Sequence, residues 1–414
     1  MTVKDPSLAP EGIRKIEWAA TWSPVLHRVR ERFEAEGTVK GRRIGVILPL
    51  EPKTAYLAVM LVETGAEVAL ACPAVLTKDD VAAGLAARGV EVFARSDAGE
   101  EDERRFYAAV LGRRPEVLID DRAELIRMAH SSHREALEEL LGAAELTTSG
   151  VTALRAMERE GVLRIPVIAG NDARCKHYYD NRYGSGQSVL QALQDATNLL
   201  LAGKEVVVVG YGWVGKGIAR RARGKGARVT VTEVDPFAAL EAYNDGFEVD
   251  TIARACERAD LVITATGTRR AIALQHLELL KDGVLLANAG GIDDEIDMDA
   301  LRTRASEERP VRPHITEYRL DPDRALFVIG GGRVVNLTAG EGHPVEIMDL
   351  SFSVQALAVR HLLLHGEGMA PGIHLLPPAI DEQIARDALA SLGLEIDHLT
   401  PEQSRFLAGW EVPE

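Results

Sequence analysis

Residues 204–235, KEVVVVGYGWVGKGIARRARGKGARVTVTEVD, restrict this chain more than any other stretch. The four valines after Glu205 leave no polar alternation, as suits a strand buried on both faces of a sheet. The strand runs into Gly210-Tyr211-Gly212-Trp213-Val214-Gly215, a G-x-G-x-x-G turn that opens a helix. A second valine-rich strand follows, and Glu233 stands at its end, about 20 residues on, where a dinucleotide fingerprint places an acid. Gly210 makes the tight turn, Gly212 lets backbone approach a pyrophosphate, and Gly215 lets the helix pack on the strand. The helix N-terminus offers free N–H groups to phosphate, and Glu233 suits ribose hydroxyls while repelling a 2'-phosphate. The expected cofactor is therefore NAD.

Upstream, strands at 43–48, 67–71, 90–93 and 116–119 alternate with helices at 53–64, 78–88 and 101–111 after a helical stretch at 10–36. Such alternation builds a parallel sheet covered on both faces. A further strand at 164–169 leads into 171–185, NDARCKHYYDNRYGS, a polar, aromatic junction before a helix expected over 186–202 with Leu199 and Leu200 on its apolar stripe. The expected fold is α/β: two doubly wound parallel-sheet domains, one a Rossmann NAD-binding domain, with a helical C-terminal tail. Residues 1–180 and 345–375 form a substrate-binding domain, 186–340 the NAD domain and 376–414 the tail. A helix at 349–364 returns to the first domain. Asp121 and Asn171 lie just past strand ends, where ligands of open α/β sheets sit.

A net charge of -15 argues against nucleic acid or an anionic membrane as partner. No apolar run of membrane-spanning length and no leader pattern stand out, so a cytoplasmic location is expected. Three scattered cysteines (Cys72, Cys175, Cys256) suggest reduced thiols, and no metal-ligand spacing appears.

The motifs then accumulate: Asn171-Asp172, Lys176, Asp180-Asn181-Arg182-Tyr183-Gly184, the fingerprint, TEVDP, TATGT at 264–268, ANAG at 287–290, EIDMD, EYRL, RVVNL and GEGHP followed by Met348-Asp349. Together they resemble the S-adenosylhomocysteine hydrolase family across nearly the whole chain, and the tail is similar to that of its short-tailed archaeal and Thermotoga-type members. The resemblance implies that bound NAD oxidises the nucleoside 3'-hydroxyl. The 4' proton then leaves, the 5'-thioether is eliminated as homocysteine, water adds and the ketone is reduced again.

By position, the resemblance makes Lys176 the group beside the 3'-hydroxyl, which needs a lowered pKa to accept its proton. Asp180, Asn181 and Asn171 hold the ribose, and Asp121 is an acid near the sugar. Glu51, Lys53, Thr54, Glu145, His343 and Met348 are implied in substrate binding. Thr147, Thr148, Trp213, Val214, Thr266, Gly267, Asn288, Ala289, Gly290 and Asn336 join the fingerprint residues as cofactor contacts. A homo-oligomer, tetramer or dimer, is implied too.

Departures cluster in the substrate pocket. Pro49 and Gly291 stand where the family carries histidines, Ile292 replaces an aromatic, and Leu146 takes a glutamate's place with Glu145 next door. Glu51 replaces a threonine and Lys53 a glutamate at the base edge. An adenine amine donates and lysine cannot accept, so a base with a carbonyl there, such as hypoxanthine, suits Lys53 if it points inward; the alternative is a lysine facing solvent. Three functions stay open: a thioether hydrolase acting on S-adenosylhomocysteine or its inosyl analogue, an enzyme oxidising the 3' position of another nucleoside, and a non-catalytic NAD-binding protein.

Overall fold

The computed structural model describes residues 2–410; Met1 and residues 411–414, the two ends of the expected first domain and tail, lie outside the described residues. Two eight-stranded sheets organise the chain. The first runs, in spatial order, Thr2–Val3, Glu91–Ala94, Glu67–Ala71, Arg43–Ile47, Val117–Asp120, Gly142–Glu145, Pro166–Ala169 and Gly372–His374, all parallel. The second runs Glu248–Val249, Arg228–Thr232, Glu205–Val209, Leu261–Thr264, Leu285–Asn288, Arg324–Ile329, Ile315–Asp321 and Glu307–Arg312.

Alternation along single strands explains why both sheets are covered on both faces. Val206 and Val208 enter one apolar core while Val207 and Val209 enter another. In the first sheet Ile44 and Val46 face one core and Ile47 the other. Each sheet thus has a layer of helices on either side, which the continuous apolar runs demanded.

The strand order reverses at one point in each sheet: between Arg43–Ile47 and Val117–Asp120 in the first, and between Glu205–Val209 and Leu261–Thr264 in the second. A crevice opens beyond the carboxyl ends of the strands at such a point. Residues 48–54 and 121–122 edge the first crevice; Gly210–Val214 and the turn at 265–268 edge the second.

The second sheet carries an antiparallel edge, Ile315–Asp321 and Glu307–Arg312, beside its parallel strands. The helix before the fingerprint is Ser185–Thr197, not 186–202; Asn198 turns left-handed at φ 54, leaving Leu199 and Leu200 exposed. Within the expected tail, helix Pro378–Ser391 packs on Val345–His365 and Pro24–Glu36 and buries Ile384 completely. Helix Val345–His365 is, by length and composition, apolar enough to span a membrane, but 78% of its most apolar window is buried inside the molecule.

Candidate active site

The junction between the domains is wound more widely than an α-helix. After the short turn Arg174–Lys176, His177–Gly184 adopts a π-type turn, a geometry found most often at functional sites. Its start is capped from a distance, since Asp381 accepts the N–H groups of Arg174 (2.7 Å) and Cys175 (3.0 Å). Trp213, at the first turn of the fingerprint helix Trp213–Gly224, packs on His177 and Tyr178 at ring-centroid distances of 5.3 and 4.8 Å. The junction is thereby clamped between the two domains.

This clamp presents three polar side chains to a cavity of ≈ 180 Å³. Lys176 Nζ donates to Asn181 Oδ1 at 2.7 Å and lies 3.2 Å from Asp180 Oδ1; all three residues are buried. Asp180 also receives Ser351 Oγ at 2.8 Å and faces His343 Nδ1 at 3.1 Å. Burial alone would raise the Asp180 carboxyl, but Lys176 and His343 override it and hold it well below the usual range. His343 Nε2 meets Ser185 Oγ at 3.2 Å. Asn181 Nδ2 donates to Asn171 Oδ1 (3.3 Å), which also accepts from Thr148 Oγ1 (3.2 Å).

Asp121 lines the same cavity, and its Oδ1 has no hydrogen-bond partner. Burial pushes its carboxyl up, against the pull of Arg122. Glu51, Thr54, Thr147, Thr148, His343 and Met348 line the cavity from the first domain and the segment that returns to it; Val214, Ala289, Gly290 and Asn336 do so from the second. Pro49 and Gly291, the two positions lacking histidine, also face it.

Lys53 does not face solvent. It is buried, with Nζ 2.7 Å from Glu51 Oε2 and 2.5 Å from the Glu341 carbonyl, while Glu51 Oε1 has no partner. Glu145 does not line the cavity. Its carboxylate is turned away from the cavity and accepts the N–H groups of Arg122 (3.1 Å), Ala123 (2.9 Å) and Thr147 (2.9 Å); Leu146 lines the cavity instead. Asn288 is likewise spent on structure: it accepts from Gly290 N and donates to the Ile292 carbonyl, bracing the turn that carries Ala289 to Gly291.

The second crevice fits a dinucleotide. A Cβ on Gly215 would lie 2.0 Å from the Gly210 carbonyl oxygen, so strand and helix touch there, whereas a Cβ on Gly212 would meet nothing within 4 Å, leaving an open cradle. The fingerprint helix has no side-chain cap, so its first N–H groups remain free for phosphate. Glu233 takes Tyr211 N–H on Oε2 and Val234 N–H on Oε1, each at 2.6 Å, which fixes it at the strand end with lone pairs to spare. Glu295 accepts from Thr266 N, Thr266 Oγ1 and Gly267 N, holding the turn on the far side of the crevice.

Sequence reasoning missed Arg122, Ser149, Leu337 and Phe352 as lining residues. Only Arg122 carried a signal, as a charge directly after a strand-end Asp121.

Residues 181–342 match the S-adenosyl-L-homocysteine hydrolase, NAD binding domain, and residues 1–138 match S-adenosyl-L-homocysteine hydrolase. The chain is 50% identical over 411 residues to the S-inosyl-L-homocysteine hydrolase of Methanopyrus kandleri, covering 99% of this chain and 97% of the relative. It is 48% identical over 410 residues to the adenosylhomocysteinase of Pyrococcus abyssi, at 99% and 97% coverage. The S-inosyl-L-homocysteine hydrolase of Methanocaldococcus jannaschii is 46% identical over 409 residues, at 99% and 98% coverage.

Proposed function

Because the chain belongs to the S-adenosyl-L-homocysteine hydrolase family, an enzyme family with an NAD-binding domain, we propose that it hydrolyses the 5'-thioether of a nucleosyl homocysteine and prefers the inosyl to the adenosyl form. Relatives of both names differ by only two points of identity, 50% against 48%, so overall similarity does not choose the base. The observation that carries the choice is the orphaned, buried Glu51 Oε1 beside buried Lys53. Hypoxanthine has an N1–H that satisfies the oxygen of Glu51, which lines the cavity, and a 6-oxygen suited to the ammonium of Lys53, which is held against Glu51 outside the lining. Adenine sets an amine against the ammonium, donor against donor.

Gly212, the first turn of the fingerprint helix, Glu233 and the Thr266–Gly267 turn would hold NAD. NAD held there would supply a hydride acceptor for the ribose 3' carbon and the hydride donor that restores it. Lys176, in its neutral amine form, takes the proton of the 3'-hydroxyl, and Asp180, kept ionised, stabilises the ammonium so formed while Asn181 and Asn171 orient the sugar. Asp121, with a free oxygen and a raised proton affinity, exchanges the 4' proton. With no histidine at positions 49 and 291, protonation of the leaving sulfur falls to the proton-carrying groups that line the cavity, of which Asp121 and His343 are the candidates. The retained Lys176–Asp180–Asn181 triplet weighs against a pure NAD-binding role, which needs no base beside a ribose.

Incubation with nucleosides and their 5'-homocysteine thioethers tests the reading. Absorbance of enzyme-bound NADH reports 3' oxidation, and mass spectrometry reports release of homocysteine. NADH formation without loss of the 5' group would favour an oxidoreductase acting on another nucleoside. We further propose a cytoplasmic homo-oligomer, dimer or tetramer. In support, the last helix, Pro401–Ala408, has no buried residue and exposes Phe406 and Leu407. Light scattering at several concentrations tests it.

A further inference from the structure

The cavity wall can be followed by its contacts. Glu51 lies against the backbone at Gly342, where a Cβ would come within 2.2 Å of Oε1. His343 then meets Asp180, Asp180 meets Lys176, Lys176 meets Asn181, and Asn171 and Thr148 continue the line. Next along the chain, Thr147 Oγ1 accepts the N–H of Arg122 at 3.0 Å. With a base at Glu51 and a ribose at Lys176, Arg122 is a further basic side chain of the cavity lining available to a 5' substituent.

Two features mark that end. Arg122 and Ala123 hold consecutive left-handed conformations, φ 59 and 56, without being glycine. Backbone strain of this kind persists only where the surroundings enforce it, here through the buried Glu145 that accepts both N–H groups. Arg122 lines the cavity, and its guanidinium faces Asp293 of the other domain, a half-exposed residue outside the lining, at 3.4 Å. A well-made charge-assisted bond is roughly 2.7–2.9 Å long, so this pair is close yet loosely joined.

Resting on the reading above, we propose that Arg122 and Asp293 read the amino-acid zwitterion of the 5'-thioether. Arg122 takes the carboxylate and Asp293 the ammonium, one charge from each domain. In the absence of the amino acid, the two residues satisfy each other across the cleft. A substituent bearing one charge leaves one of them unanswered, and a neutral methylthio group leaves both. The pair is thus specificity-determining for the 5' group.

The test uses the full-length NAD-loaded protein and four inosine 5'-thioethers: of homocysteine, of 4-mercaptobutyrate (carboxylate only), of 3-aminopropanethiol (amine only) and of methanethiol. Dissociation constants from calorimetry and KM values are measured for wild type, Arg122→Gly and Asp293→Asn. Arg122→Gly relieves the left-handed backbone, and Asp293→Asn is isosteric at a half-exposed position, so neither threatens the fold. Arg122→Gly should weaken the homocysteine and mercaptobutyrate thioethers by roughly 10–100-fold relative to the aminopropanethiol one. Asp293→Asn should weaken the homocysteine and aminopropanethiol thioethers relative to the mercaptobutyrate one. An unchanged ranking in both variants, or equal loss for all four ligands, overturns the proposal while leaving the hydrolase reading intact. A wild-type protein whose bound NAD no nucleoside reduces overturns the hydrolase reading and this proposal with it.

Discussion

Lys53 and Glu51 stand two residues apart at the start of helix Pro52–Glu63, and their side chains meet at 2.7 Å with both under a tenth exposed. Lys53 Nζ also holds the Glu341 carbonyl, so the pair ties the base end of the cavity to the segment that leads from the second domain into helix Val345–His365. Buried ion pairs recover their desolvation cost only when their remaining hydrogen-bonding capacity is met. Glu51 Oε1 is unmet within the protein, which points to the ligand as its partner.

A base preference follows. Inosine should bind more tightly than adenosine by calorimetric titration, by about tenfold, the value of one charge-assisted bond gained against one donor clash. Lys53→Gln alone would strand a buried carboxylate, so Glu51→Gln/Lys53→Gln is the cleaner variant, and it should bring the two nucleosides within about threefold of each other. A clear wild-type preference for adenosine would end the assignment.

Stability should fall on the alkaline side. Asp120 and Glu145 are register partners on adjacent parallel strands, and Asp121 adjoins them. Burial pushes Asp120 up to about 8, and burial with the neighbouring carboxylates raises Glu145 well above its usual range. Folded-state values above the unfolded ones mean stabilisation that is full below about pH 4 and lost as pH rises through about 8. The melting temperature should therefore drop by several degrees between pH 6 and pH 9. Glu145→Gln should flatten that slope while costing roughly 1–3 kcal/mol at pH 6, because an amide nitrogen cannot accept the Ala123 N–H. A wild-type melting temperature constant across the range contradicts the coupling.

How far the sequence led can be judged from the same residues. Val206 to Val209, the glycine turn and Glu233 announced their fold through local rules, and the structure keeps them in that order. Lys176, Asp180 and Asn181 lay within one short stretch, so local chain geometry was enough to bring them together. Which of Glu145 and Leu146 faces the cavity was not legible, because on a strand end one residue decides the face; Leu146 lines it. Arg122 escaped notice because its reach depends on a left-handed turn enforced from the next strand. The hairpin edge at 307–329 was hidden by its charged residues, which read as surface without revealing their pairing.

Asp381 supplies a prediction that only the tertiary structure offers. It caps the Arg174–Lys176 turn from a helix over 200 residues downstream, so it should matter to the site despite lying outside the cavity. Asp381→Ala should cost roughly 1–2 kcal/mol, the usual value of a lost cap, measured by urea unfolding. It should also slow reduction of bound NAD by nucleoside, since Lys176 follows the capped residues directly. Full stability and an unchanged NADH rate in this variant would show that the cap does not position Lys176.

Helix Ser185–Thr197 crosses the fingerprint helix at paired glycines. A Cβ on Gly186 would lie 2.7 Å from the Gly217 carbonyl carbon, and one on Gly217 would lie 1.9 Å from the Arg182 carbonyl oxygen. Backbone thus meets backbone, and no side-chain rotation can make room. Gly217→Ala should cost roughly 1–3 kcal/mol by overpacking and shift the junction against the cofactor helix. Calorimetry should show weakened NAD binding alongside the lower melting temperature, although no cofactor-facing group has been changed. Normal NAD affinity in a destabilised variant would mean that the crossing supports the fold alone.

Lys176→Ala separates chemistry from binding. The lysine lies within the first domain, while the fingerprint glycines, Glu233 and the Thr266–Gly267 turn belong to the second, so purified variant should retain its NAD. Loss of a general base commonly costs roughly 10²–10⁴-fold in rate, and the loss should appear in the first observable step, formation of enzyme-bound NADH from nucleoside. Lys176→Arg keeps the charge beside Asp180 but holds a guanidinium that cannot give up its proton, so it should be as slow as the alanine variant while staying better folded. An arginine variant near wild-type speed would reassign the lysine from proton transfer to electrostatic support, and the base would then have to be sought at Asp121 or His343.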